Sequence, residues 1–116
     1  MDHESLAKTC LSLRGTHEDL KWGKDLCYCV GEKIYCITDI DPPFKVSFKV
    51  TPEQFSELIG RYGIEPAPYL ARHHWVLITD VGALKRNEWS QYIEDSYQQV
   101  FSKLSKKKQR AIATEE

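Results

Sequence analysis

Three groups of residues in this 116-residue chain have types and spacings that could do chemistry. The first is the adjacent pair His73 and His74, which runs into Trp75 and the apolar residues 76–78. If this stretch enters a strand, neighbouring side chains point to opposite faces. Two ligands for one metal would then sit at i and i+2, and position 75 offers tryptophan. No third ligand stands at a zinc-like spacing. The pair therefore reads as one histidine at a sheet edge and one packed against Trp75 or Tyr69, with no metal. The second group is the cysteines. A two-residue turn at Gly31-Glu32 sets Cys29 opposite Ile34 and Cys27 opposite Cys36, with Tyr28 and Tyr35 on the other face. As a non-hydrogen-bonded pair, Cys27 and Cys36 would have α-carbons about 4.5 Å apart, close enough for a strained, reducible disulfide. Small apolar packing is the simpler use of these thiols, and Cys-x-Cys on a strand lacks the chelating turn of Cys-x-x-Cys. The third group, Asp39-x-Asp41, is faintly like a phosphotransferase nucleophile. That chemistry needs parallel βαβ units, whereas a turn closed by Pro42 and Pro43 explains both aspartates. No Gly-rich phosphate loop, Gly-x-Ser-x-Gly elbow or His-Glu-x-x-His motif occurs, so neither an enzyme nor a cofactor is expected.

The elements that hold these residues follow from periodicity. Residues 2–13 read as a helix, with Leu6, Cys10 and Leu13 at helical spacing and Gly15 beyond. Residues 14–25 read as a polar connector carrying Trp22. The runs either side of Gly31-Glu32 form a hairpin. Phe44, Val46, Phe48 and Val50 alternate with Lys45, Ser47 and Lys49, the pattern of a strand with one buried and one wet, basic face. Thr51, Pro52 and Gln54 announce a helix by N-cap, first-turn proline and capping box. Residues 64–68 read as an extended connector, 75–80 as a strand. From about Leu84, Trp89, Tyr92, Ile93, Tyr97, Val100, Phe101 and Leu104 mark a long amphipathic helix. The order α-β-β-β-α-β-α predicts an α+β two-layer sandwich, an antiparallel sheet of about four strands with helices on one face. One domain spans residues 1–106, and 107–116 form a frayed, charged tail.

Forty-one per cent hydrophobic residues fit a packed domain, and a net charge of −1 supplies no overall field toward nucleic acid or membrane. No signal-like run and no stretch near the roughly 20 apolar residues of a membrane span are present, so a cytoplasmic setting with reduced cysteines is expected. What remains is a surface. Lys45 and Lys49 share a strand face, Lys33 sits at the hairpin tip, Lys21, Trp22 and Lys24 lie in the first connector, and Arg72 lies in the second. A positive ridge interleaved with aromatics such as Trp22 and Tyr69 suits a phosphate backbone, and Lys106, Lys107, Lys108 and Arg110 can extend it. The competing use of such lysines is to solvate a face and block edge pairing.

The stretches "LSLRGTHEDLKWGKD", "VGEKIY", "VSFKVTPEQFSEL", "PAPYLARHHWVLI" and "SYQQVFSKL" resemble the MmcQ/YjbR family of small bacterial proteins. Arg14 stands where the family usually has proline, and cysteines occupy strand positions that are often lysine or aliphatic. The resemblance implies a fold similar to the frataxin homologue CyaY and to type III secretion chaperones, and a DNA-binding label that rests on fold. It marks Pro66, Tyr69, His74 and Trp75 as signature positions. The expected function is a weak, sequence-tolerant DNA-binding module, with Lys33, Lys45, Lys49 and Arg72 on phosphates and Trp22 or Tyr69 stacking. The alternative is a chaperone-like module that binds a protein partner or itself, as a monomer or weak dimer. Trp75 is expected between the sheet and the last helix.

Overall fold

Capping residues start the helices where the sequence asks for them. The Asp2 carboxylate accepts the Ser5 amide at 2.8 Å, while the Asp2 amide donates to the Ser5 hydroxyl, and this box opens α1 (His3–Leu11). Thr51 and Gln54 build the same reciprocal pair at α2 (Pro52–Leu58), with Pro52 in the first turn. The long apolar stripe becomes α3 (Arg86–Phe101), which buries Trp89, Ile93, Tyr97 and Val100. A computed structural model describes residues 1–114.

Between the helices run β1 (Thr16–Lys21), β2 (Asp25–Val30), β3 (Lys33–Asp39), β4 (Val46–Lys49), β5 (Ile64–Pro66) and β6 (Trp75–Ile78). They form one antiparallel sheet in the order β1-β2-β3-β4-β6-β5. The α+β class and the antiparallel sheet are as expected, but among the described residues the strands number six rather than about four. Both additional strands are edges. β1 is exposed along most of its length, so it carries no hydrophobic alternation to betray it. β5 is three residues long and ends in Pro66, which an edge tolerates because it needs no inward amide there.

The β2–β3 hairpin corrects the cysteine reading. Gly31 takes φ 61 in the two-residue turn, and Cys29 does face Ile34. The register then slips between Tyr28 and Cys29, leaving Tyr35 as an extra residue, so that Tyr28 faces Cys36 and Cys27 faces Ile37. Cys36 enters the helix-side core against the Cys10 side chain, whereas Cys27 and Cys29 lie on the opposite face. Cys27 and Cys36 are therefore not paired, and all four thiols are free. Burial pushes the Cys27 thiol up to about 11, which makes it a poor nucleophile.

The bulge also interrupts the β3–β4 ladder, which ends at Cys36 and Phe48. Beyond that point Ser96 of α3, fully buried, joins the two strands. Its hydroxyl donates to the Tyr35 carbonyl at 2.6 Å and accepts the Lys49 amide at 3.0 Å. On the helix side, Tyr28, Cys36, Val46, Phe48, Val76 and Ile78 pack with Leu6, Trp89, Ile93 and Tyr97 into one core. Phe48 stacks on Tyr92 and meets the Trp89 ring edge-on.

The charged tail is not frayed over its described part. Ser105 caps a further helix, α4 (Lys106–Ala113), and Ile112 buries its side chain against Gly15. Gly15 sits at φ 78, and a β-carbon there would come within 2.7 Å of Ile112. One large apolar residue among so many charges is a weak periodic signal, which is why the sequence hides this helix. The last two tail residues, Glu115 and Glu116, lie outside the described residues. Among the described residues no helix is long and apolar enough to cross a membrane.

Candidate functional site

Antiparallel pairing decides which of the expected contact residues meet. The β2–β3 turn, the end of β4 and the start of β6 share one end of the sheet; the β1–β2 turn, the end of β3 and the start of β4 share the other. Lys33 and Lys49 belong to the hairpin end. Together with Glu32, Ile34, Trp75, Val100 and Lys103 they line a depression of about 350 Å³. It lies where β3 and β4 part company, with Ile34 contributed by one strand, Lys49 by the other, and Val100 by the end of α3.

The electrostatics of this depression favour an anion. Lys49 has a lowered pKa, first because burial strips water from its ammonium and then because the Lys103 charge stands nearby. The one acid of the lining, Glu32, bonds to Lys108 of α4, which holds its carboxyl below the usual range. That ion pair draws the lysine-rich start of α4 to the same end of the molecule. The Lys49 ammonium donates to the His73 carbonyl at 2.7 Å, which ties it to the connector 67–74. That connector carries Tyr69, Arg72 and His74.

Lys45 and Trp22 lie at the far end, where cations alternate with carboxylates. Lys21 pairs with Asp19 at 3.0 Å and Lys24 with Asp39 at 3.7 Å. The Lys45 carbonyl accepts the Thr38 hydroxyl at 2.7 Å. The register thus groups Lys33, Lys49, Arg72 and Tyr69 at one end and separates them from Lys45 and Trp22.

Two aromatics are held in an unusual way. Tyr69 is 99% exposed with φ 66, and Trp22 is 75% exposed with φ 54. The left-handed region suits glycine or asparagine, and a bulky residue there is strained with, in these two cases, little packing in return.

The histidines diverge. His73 is exposed, while His74 takes φ 64 and sets its ring edge-on to Phe55 at 5.6 Å. Trp75 is buried, at 8% exposed, but not where the sequence places it. It faces Lys49 across the β4–β6 pair, on the side of the sheet opposite Val76 and Ile78, and it is not part of the helix-side core. The left-handed turn at His74 sets the phase of β6, and that phase is invisible in an apolar run without alternation. Pro66 is exposed in the edge strand β5. Lys103 and Val100 were not legible as site residues, because only the docking of α3 on the sheet brings them there.

A family model described as YjbR matches residues 11–99. Among solved structures, the Deinococcus radiodurans protein DR2400, which has the domain DUF419, is similar with a TM-score of 0.87 and 26% identity, over 97% of this chain and 88% of its own. A Pseudomonas syringae protein solved as a structural-genomics target has a TM-score of 0.73 and 22% identity, over 86% of this chain and 99% of that one, a likeness of fold alone. No curated protein matches.

Proposed function

This chain belongs to the YjbR family, and from that premise we propose that it is a non-catalytic module that holds the phosphate backbone of nucleic acid, weakly and with little regard to sequence. The observation that carries this reading is the convergence of Lys33, Lys49 and Lys103 on one depression, with Lys49 partly desolvated and crowded by a second cation. An arriving phosphate relieves that crowding, and Arg72 on the tied connector adds a further contact. Tyr69 supplies a stacking surface, held outward at a cost in backbone strain that folding alone does not explain. Lys45 and Trp22 have at most a supporting part, at the mixed-charge end.

The test is a binding titration against salt. Four phosphate contacts on duplex DNA predict that log affinity falls against log salt with a slope of about −3.6, and replacing one contacting lysine should shallow it by about 0.9. No binding at about 50 mM salt, or an affinity indifferent to salt, would sink the proposal.

A second reading has its own observation. Ile34, Ile37 and Leu77 are half-buried on the helix-free face yet do not pack on the main core, and Cys27 and Cys29 are buried beside them. Such a face suits a protein partner or a second copy, in keeping with the CyaY-like and secretion-chaperone-like cast that the family resemblance implies. Light scattering and a pull-down separate the two: a strict monomer with no partner and salt-sensitive DNA binding favours the first. A cytoplasmic setting, where free cysteines stay reduced, goes with either.

A further inference from the structure

We infer that the hairpin-end depression takes an unpaired base, so that the module prefers single-stranded to duplex nucleic acid. This rests on the reading above that the same end binds nucleic acid, and it goes beyond it in naming the form of the ligand. The depression is not lined as a phosphate site alone would be. Ile34, Trp75 and Val100 give it apolar surface, and the rest of the lining is Lys33, Lys49, Lys103 and Glu32, whose carboxylate is paired with Lys108. The complement of such a site is a flat, weakly polar body with negative charge on its border, which is a base joined to its phosphodiester. A base inside a duplex shows only its edge, because both faces are covered by its neighbours; a single strand can turn the face outward.

The structure also explains why apolar surface is available here. Pairing between β3 and β4 stops at Cys36 and Phe48, and Ser96 spans the backbone groups beyond. The gap leaves Ile34 half-buried outside the main core, and Trp75, on the face away from Val76, lines the same depression. At about 350 Å³ the depression lies at the small end of ligand sites, a size suited to one base rather than to an extended groove.

The experiment is fluorescence anisotropy on the full chain with three labelled probes: a single strand of about 12 nucleotides, the same sequence as a duplex, and a strand of equal length with its bases removed. The single strand should bind about tenfold more tightly than either of the others, the effect of one stacked base. Ile34→Gln, checked for folding by thermal melting, should lose that preference and keep the salt dependence. Equal affinity for all three probes overturns the inference and leaves the phosphate-binding proposal standing. Salt-sensitive binding in which Ile34→Gln retains the full preference overturns the assignment of the base to this depression. No salt-sensitive binding to any probe removes both. The probe comparison uses the unaltered chain, so it decides the single-strand preference even where the variant fails to fold.

Discussion

Tyr69 is a residue at which stability and binding pull in opposite directions. Its side chain is almost wholly in solvent, and its backbone sits at φ 66. Tyr69→Asn removes little packing and relieves a conformation worth roughly 1 kcal/mol, so the melting temperature should hold or rise slightly. The same change should weaken binding to a single strand by about 1 kcal/mol or more, read by anisotropy. A variant that is less stable and binds normally would contradict both halves. Trp75 behaves otherwise. Buried but outside the helix-side core, it should cost about 3 kcal/mol on replacement by alanine in a denaturant melt, the low end for a large aromatic. His74→Gly should cost under about 1 kcal/mol, since the lost edge-on contact with Phe55 is offset by relief at φ 64. Alternation at the two histidines presupposes a strand, whereas His73 ends a short 3-10 turn, His74 is left-handed and the strand starts only at Trp75. The face of Trp75 was not legible, because it depends on a backbone turn that residue types do not reveal.

At the scale of elements, Ser96 shows how much hangs on one hydroxyl. It serves the Tyr35 carbonyl and the Lys49 amide at the point where a bulge parts β3 from β4. Ser96→Ala should leave both buried groups without this partner and destabilise the domain by about 2 kcal/mol, measured by equilibrium unfolding. A change within experimental error would mean the bulge relaxes to restore the ladder. The α2–α3 junction gives a pH prediction. Glu88 has a lowered pKa, first through its bond to the Arg61 guanidinium and then through the Lys85 amide. Its stabilising contribution is therefore complete above the ordinary glutamate range and is lost as pH falls through its own lower folded value. Glu88→Gln should lower stability at neutral pH and flatten the acid limb of the stability curve. Caps and the long helix were readable because their signals are local. The edge strands and α4 were not, since an exposed edge needs no hydrophobic alternation and α4 is anchored by Ile112 against a distant glycine.

For the whole molecule, a net charge of −1 conceals a division into a basic end and a mixed one. Sequence alternation puts Lys45 and Lys49 on one strand, but β4 starts at Val46, leaving Lys45 just before it, and alternation could not say what each end of the strand meets. Register supplies the answer: Lys49 faces the start of β6 near Lys33 and Lys103, while Lys45 lies toward Asp39 and the β1–β2 turn. Four strand rises separate the two lysines by roughly 13 Å. That exceeds the Debye length of about 10 Å at 0.1 M salt, so a phosphate held at Lys49 is largely screened from Lys45. Lys49→Gln should therefore weaken nucleic-acid binding and shallow the salt slope by about 0.7 to 0.9, according to the strand form, whereas Lys45→Gln should leave the slope unchanged. The reverse outcome would move the interface to the far end, beside Trp22. Equal effects from both would mean that the strand is bound along its length, as a continuous ridge.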